Sequence, residues 1–218
     1  MQLILHGAAY SAYTRIVRIV LEEKSISCAF REIDFISDGM PAGHPHPFRK
    51  VPVLETDGAF LFEALPICLY LEESRPVPSL MPESPLGRAS VLQLISSLDS
   101  YIWPDIRELV TQRVFAPLAG GQADDSVTRR MEKRLQRSLA AFAGQLGEGR
   151  WLQADRFSLA DCYAAPMFDY LAMTVEGQAL IAETPRLADW WQAIQARGSL
   201  AATAFSLRDY PFARKAEG

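Results

Sequence analysis

Apolar residues in the first third of the chain switch between the spacing of strands and that of a helix. Residues 2–6 form a short apolar run, and residues 28–33 alternate loosely. Between them, residues 13–24 follow a helical period. The apolar stripe of this helix contains Tyr13, Ile16, Val17, Val20 and Leu21. The pattern predicts a βαβ unit with parallel outer strands, since such crossovers are right-handed and join parallel strands.

A loop and a hairpin follow this unit. Residues 37–50 are dense in glycine and proline, which excludes regular structure. Residues 52–56 and 59–62 are short apolar runs joined by an Asp-Gly pair, which suits a tight turn between antiparallel strands. Residues 64–73 return to helical spacing. The order β-α-β-loop-β-β-α is therefore predicted for the first domain.

Four prolines in residues 74–85 indicate a linker. We place a first domain at residues 1–78 and a second, all-helical domain at residues 86–218. The second domain should begin with a long helix that bends at Pro104, where a backbone hydrogen bond is lost.

Three further helices are expected in the second domain. One covers residues 125–146, where apolar residues recur every three or four positions. Ser158 and Asp161 have the spacing of a capping box and should begin another. The Thr184-Pro185 pair opens the last.

Composition narrows the possible partners. The chain has 218 residues, 49% of them hydrophobic, and a formal net charge of −4. This balance gives no electrostatic reason to expect a nucleic acid or an anionic membrane as partner. No apolar run approaches the ~20 residues that span a bilayer. The three cysteines are odd in number and far apart, which favours free thiols in a reducing, cytoplasmic compartment.

Three short segments carry candidate chemistry. Ser11 lies where strand one meets helix one, so its hydroxyl would sit beside amides that favour an anion, although an N-cap role alone would also explain a serine there. Pro52 opens a strand and leaves the Val51 backbone available to a ligand. Glu63 and Ala64 lie where strand four meets a helix, so the carboxylate could pair with an ammonium group or simply match the helix dipole.

A metal site is not expected. The His44-Pro45-His46 run offers two imidazoles, but no third ligand follows at usable spacing and the proline holds the pair poorly for chelation.

The order of these segments resembles the glutathione transferase family over nearly the whole chain. The matching stretches are Leu5-His6-Gly7 through Ser11-Ala12-Tyr13, Val17-Arg18-Ile19 through Leu21-Glu22-Glu23-Lys24, Val51-Pro52-Val53-Leu54-Glu55, Asp57-Gly58, Glu63-Ala64 and Phe157-Ser158-Leu159-Ala160-Asp161. The resemblance implies an α+β fold, with a thioredoxin-like domain followed by an all-α domain, and a homodimer.

The resemblance also implies how glutathione would be held. The Val51 backbone, before a cis Pro52, would bind the cysteinyl part. Glu63 and the amide of Ala64 would hold the γ-glutamyl end, and Lys50 would approach the glycyl carboxylate. Ala64 departs from the serine that the family often has here, so one contact to the γ-glutamyl carboxylate is missing. His46 likewise takes a place often held by asparagine.

Ser11 would donate a hydrogen bond to the glutathione sulfur, with Tyr10 or Tyr13 as alternative donors. A thiol with a pKa near 8.5 is only a few per cent ionised at neutral pH, and the thiolate is the nucleophile. The electrophile would bind against the second domain. The residues expected to line its pocket are Tyr10, Tyr13, Tyr101, Trp103 and Arg107.

The predicted function is conjugation of glutathione, as cosubstrate, to a small and hydrophobic electrophile, with no permanently bound cofactor. Detoxification is the expected role. Thiol-disulfide exchange or isomerisation on the same fold is an alternative, although serine at position 11 cannot form the mixed disulfide that exchange requires. A non-catalytic protein that binds glutathione or hydrophobic ligands is a second alternative.

Overall fold

The chain folds into two compact units. The computed structural model describes residues 2–153, 155–207 and 210. The described residues up to Ser79 form the first unit together with those from Gly198 onward, and Leu80–Arg197 form the second.

A four-stranded mixed sheet is the centre of the first unit. Its strands are β1 (Leu3–Gly7), β2 (Ala29–Glu32), β3 (Val53–Thr56) and β4 (Ala59–Phe62), in the spatial order β2-β1-β3-β4. Strand β1 pairs parallel with β2 and antiparallel with β3, and β3 pairs antiparallel with β4. The predicted parallel pairing in the βαβ unit and the predicted hairpin are therefore confirmed.

Two helices accompany the sheet at the positions expected from the sequence, α1 (Ala12–Glu23) and α2 (Ala64–Ser74). On α1 the apolar stripe is buried, with Ile16, Val17 and Val20 fully inaccessible to solvent. Because this stripe repeats with the helical period, its burial fixes the rotation of α1 about its own axis.

The second unit is helical in its described part. The helices are α3 (Pro85–Ser97), α4 (Trp103–Val110), α5 (Ala116–Leu118), α6 (Asp125–Ala143), α7 (Leu159–Leu171), α8 (Val175–Ala182) and α9 (Pro185–Gln195). No described helix is long and apolar enough to cross a membrane.

The long first helix predicted for this unit is present as a continuous helical stretch over residues 85–118, but two of its turns are π-helical. Leu98–Ile102 and Thr111–Phe115 are π-helical turns on either side of α4. Pro104 follows the first of these turns and occupies the first turn of α4, where a missing amide proton costs little. The irregularity expected at Pro104 is thus absorbed by a widened turn directly before it.

A last short helix, α10 (Gly198–Ala202), belongs to the first unit. The residues that follow it lie against α1: the buried Arg15 donates from Nε to the Thr203 carbonyl at 3.0 Å. The domain limits of 1–78 and 86–218 stay a prediction. In the structure, the described residues from Gly198 onward pack with the unit that contains the sheet.

A buried ion pair ties α1, α2 and the end of the first unit together. Lys24 Nζ lies 2.7 Å from Glu72 Oε2 and also donates to the Pro78 carbonyl at 2.7 Å. The Ser79 hydroxyl donates to the second oxygen of Glu72 at 2.9 Å. A buried charge pair is tolerated when further hydrogen bonds offset the lost hydration of its two charged groups, and Pro78 and Ser79 supply such bonds here. The network therefore fixes where the chain leaves the first unit.

In the second unit, Asp161 is a fully buried hydrogen-bond hub. Its carboxylate accepts from the Leu152 and Ser158 amides at 2.9 and 2.8 Å, from the Ser158 hydroxyl at 2.9 Å and from Trp190 Nε1 at 2.8 Å. Burial raises the pKa of this carboxyl, and these four donors oppose the rise. The predicted capping box is confirmed, and it also connects α7 to α9.

Replacing Asp161 tests this hub. We expect Asp161→Ala to lower the free energy of unfolding by about 3 kcal/mol, because it leaves several buried donors unpaired. Denaturant unfolding followed by circular dichroism measures the change, with the exposed Glu148→Ala as control. A loss as small as that of the control would mean that the hub does not stabilise the unit.

Candidate functional site

Ser11 begins α1 at the carboxyl end of β1. Its amide donates to the Ala8 carbonyl at 2.9 Å, and its Oγ accepts from the Thr14 amide at 3.3 Å. The N-cap interpretation is therefore correct. The cap uses Ser11 Oγ as an acceptor, and no described residue accepts a hydrogen bond from the Ser11 O–H. A side chain that caps this helix thus keeps a proton to donate to a ligand.

The start of α1 lies unusually close to the end of β1. A Cβ atom added to Gly7 would stand 2.4 Å from Thr14 Cγ2, well inside van der Waals contact. Thr14 is completely buried, so its side chain has no room to withdraw. Glycine at position 7 is what permits this approach, and the approach sets the position of Ser11.

Tyr10 is oriented away from a role as sulfur donor. It is only 8% exposed, and its hydroxyl donates to Asp34 Oδ1 at 3.1 Å. Burial and the nearby carboxylate raise the pKa of Tyr10, so the phenol keeps its proton. Tyr13 lies half-buried in the first turn of α1. The two tyrosines remain predicted alternatives to Ser11, but the Tyr10 proton is engaged with Asp34.

The segment before β3 presents a backbone edge. The Val51–Pro52 peptide bond is cis, as the resemblance implied. Lys50 is exposed, and its carbonyl is held by His44 Nε2 at 2.7 Å. Within the described residues, nothing hydrogen-bonds to the Val51 N–H or C=O. A peptide ligand could therefore form backbone hydrogen bonds with Val51.

Glu63 marks the start of α2. Its backbone has a φ of 70° and a ψ of 132°, a conformation that costs a residue other than glycine about 1–3 kcal/mol. No side chain caps this helix, and Pro66 removes the amide of the third position. The amides of Ala64 and Leu65 therefore remain at the positive end of the helix, beside a Glu63 side chain that is 63% exposed. This arrangement suits a ligand that carries both a carboxylate and an ammonium group.

The residues predicted to line an electrophile pocket are divided between the units. Tyr10 and Tyr13 lie in the first, whereas Tyr101, Trp103 and Arg107 lie in the second. Tyr101 is 68% exposed in the first π-helical turn, and the Trp103 ring contacts Tyr170 with centroids 5.7 Å apart. Their convergence on one pocket stays a prediction.

The two histidines rejected as metal ligands have other partners. His44 Nε2 holds the Lys50 carbonyl, and His46 Nδ1 accepts from the Phe48 amide at 3.1 Å. The residues that the structure describes contain no group of three or more His, Cys, Asp or Glu side chains placed to hold a metal.

Two acidic residues of the site region were missed in the sequence. Asp34 accepts from Tyr10 and from the Ile36 and Ser37 amides, and Glu32 accepts from the Ala9 amide at 2.9 Å. The turn around Asp34 has a local signal, because aspartate often binds amides two or three residues ahead. No local sequence signal indicates the long-range partners of Asp34 and Glu32.

Comparison with known proteins places both parts of the chain in one family. The family model for the glutathione S-transferase N-terminal domain matches residues 5–83, and the model for the C-terminal domain matches residues 100–197. Glutathione S-transferase F7 of Arabidopsis thaliana is 31% identical over 204 residues, which cover 88% of this chain and 94% of that protein.

Solved structures share the fold. Glutathione transferase F7 from Populus trichocarpa has a TM-score of 0.82 at 27% identity, covering 92% of this chain and 97% of its own. A glutathione S-transferase of Methylobacterium radiotolerans, solved in complex with glutathione sulfonate, has a TM-score of 0.74 at 27% identity and covers 96% and 99%. The expected fold, a thioredoxin-like domain followed by an all-α domain, is confirmed. This chain belongs to the glutathione S-transferase family.

Proposed function

We propose that the chain is a glutathione transferase that binds glutathione, stabilises its thiolate and conjugates it to a small, hydrophobic electrophile. The observation that carries the proposal is the position of Ser11, whose hydroxyl caps α1 as an acceptor and keeps its proton. Family membership supports the same activity, since the relatives named above are glutathione S-transferases.

The chemistry follows from control of the thiol pKa. A hydrogen bond from Ser11 and the positive end of α1 both favour the ionised sulfur over the thiol. More of the bound glutathione is then nucleophilic at neutral pH. Holding this thiolate next to a bound electrophile converts a bimolecular step into one within the complex.

The remaining parts of glutathione would be held along the same unit. Val51, before the cis Pro52, would pair with the backbone of the cysteinyl part. Glu63 would take the γ-glutamyl ammonium, and the amide of Ala64 the adjacent carboxylate, while Lys50 would approach the glycyl carboxylate. The exposed Glu63 side chain and the uncapped start of α2 support these assignments. Tyr10, Tyr13, Tyr101, Trp103 and Arg107 remain the proposed lining of the electrophile pocket.

A cytoplasmic location is consistent with the state of the cysteines, and detoxification is the role we propose. Cys28, Cys68 and Cys162 are all free thiols, as a reducing compartment permits. Burial raises the pKa values of Cys28 and Cys68, which makes either a poor nucleophile. Thiol-disulfide exchange is therefore the weaker alternative.

A homodimer is proposed from an exposed aromatic patch on the first unit. Phe48, Phe60 and Phe62 are 73%, 45% and 38% exposed. The rings of Phe48 and Phe62 lie 6.1 and 5.1 Å from the ring of His46, so these side chains are neighbours. Such a patch is unusual on a monomer, and a second copy of the chain would cover it.

Changing Ser11 tests the catalytic proposal. We expect Ser11→Ala to lower kcat/KM for glutathione with an activated aryl halide by about 10²-fold, because one donor to a developing or full negative charge is lost. The pKa in the pH–rate profile should move up toward that of a free thiol, near 8.5. Initial rates of conjugation, measured from about pH 6 to about pH 9 at constant ionic strength, give both kcat/KM and the pKa of the pH–rate profile.

Two further substitutions separate the hydroxyl from its capping role. Ser11→Thr keeps both the cap and the proton and should retain most activity. Ser11→Asp keeps a good N-cap but has no proton to donate at neutral pH. This variant should therefore fold but lose its activity. Full activity of Ser11→Ala would assign the donor to Tyr13 or Tyr10, whereas glutathione binding by the wild type without any turnover would favour a non-catalytic binder.

Changing Phe48 tests the homodimer. Phe48→Asp should shift the protein from dimer to monomer, because a charge in an apolar interface loses its hydration. Sedimentation velocity over a range of concentrations measures the shift. Val175→Asp replaces an equally exposed apolar residue of the second unit and serves as control. A monomeric wild type at every concentration would contradict the proposal.

A further inference from the structure

The His44-Pro45-His46 segment has no role in the function proposed so far, yet His46 is among the most buried polar residues of the first unit. Its side chain is 1% exposed. Its ring contacts Phe48 and Phe62, with centroids 6.1 and 5.1 Å apart. A buried imidazole with few hydrogen-bonding partners is costly unless both of its nitrogens are used.

One nitrogen of His46 holds the loop before the cis peptide bond. His46 Nδ1 accepts from the Phe48 amide at 3.1 Å, and the His46 carbonyl accepts from the Arg49 amide at 3.0 Å. An accepting Nδ1 carries no proton, so the neutral ring carries its proton on Nε2. Burial lowers the pKa of His46, with the charges of His44 and Lys50 acting in the same direction and Glu63 opposing them, which favours this neutral form.

The protonated nitrogen faces the start of α2. His46 Nε2 lies 3.5 Å from Glu63 Oε1, which is longer than the roughly 2.7–3.2 Å of an N–H···O hydrogen bond but short enough for an electrostatic contact. Glu63 is the residue with the strained backbone, and no side chain caps its helix. The dipole of the imidazole N–H therefore favours positions of the Glu63 carboxylate close to His46, while most of that carboxylate stays open to a ligand.

We propose that His46 is a positioning residue of the glutathione site: its two nitrogens connect the loop that carries Lys50 and Val51 to the Glu63 carboxylate. The inference rests on the proposed function. His46 does not contact the ligand. It lowers the conformational freedom that Glu63 would otherwise lose when the γ-glutamyl ammonium binds, so its effect appears as affinity for glutathione.

A double-mutant cycle tests this role. His46→Asn keeps an acceptor near the position of Nδ1 but is too short to reach Glu63. We expect it to weaken glutathione binding about five- to tenfold, measured by titration calorimetry, and to raise KM for glutathione more than it lowers kcat. In a Glu63→Ala background the same substitution should change affinity by less than about twofold, because its partner is absent.

Two controls separate positioning from general destabilisation. His6 is a second buried histidine of this unit that contacts a glutamate, with Nε2 2.9 Å from Glu55 Oε2, and His6→Asn should leave glutathione affinity unchanged. His46→Gln keeps an N–H donor long enough to reach Glu63 but removes the acceptor of the Phe48 amide, so any loss of affinity that it causes should persist in the Glu63→Ala background.

The outcomes are distinguishable. Equal losses of affinity for His46→Asn in both backgrounds would overturn the positioning role. Wild-type protein that binds no glutathione at millimolar concentration would instead overturn the proposed function on which the inference rests.

Discussion

The close approach of α1 to the end of β1 is the constraint on which the candidate site depends. A side chain at position 7 would collide with the buried Thr14, so the strand must end in glycine for the helix to begin where it does. This packing places the amino-terminal end of α1 and the Ser11 hydroxyl at one point. The backbone at the start of α1 would itself stabilise an anion, and the Ser11 side chain adds one hydrogen-bond donor.

The second half of the site depends on a different kind of constraint. Val51 and Glu63 lie on separate segments, one before β3 and one after β4. The β3–β4 hairpin sets the separation of these segments, and His46 lies between them, with Nδ1 on the Phe48 amide and Nε2 3.5 Å from Glu63 Oε1. A ligand that spans both segments would therefore meet groups whose positions are largely fixed before it binds, which reduces the entropy lost on binding.

Each unit contains a buried charged side chain that makes several hydrogen bonds. In the first, Lys24 pairs with Glu72 and also reaches a carbonyl of the segment that ends the unit. In the second, Asp161 accepts from two amides, a hydroxyl and an indole. Such groups are costly when any partner is missing, so they disfavour alternative packings of the same helices. Each unit thus gains a defined arrangement as well as stability.

Local patterns were enough to predict the order of elements along the first domain, the hairpin, most helices and the capping box of Asp161, because period, turn residues and caps depend on neighbours in the chain. With the help of a family resemblance, they also indicated Ser11, Val51 and Glu63 as candidate site residues. The engagement of Tyr10 with Asp34, the π-helical turns around α4 and the contact of His46 with Glu63 could not be predicted in this way. These features depend on which residues the fold brings together across 17 or more positions, or on how a helix accommodates its packing, and no local pattern encodes either.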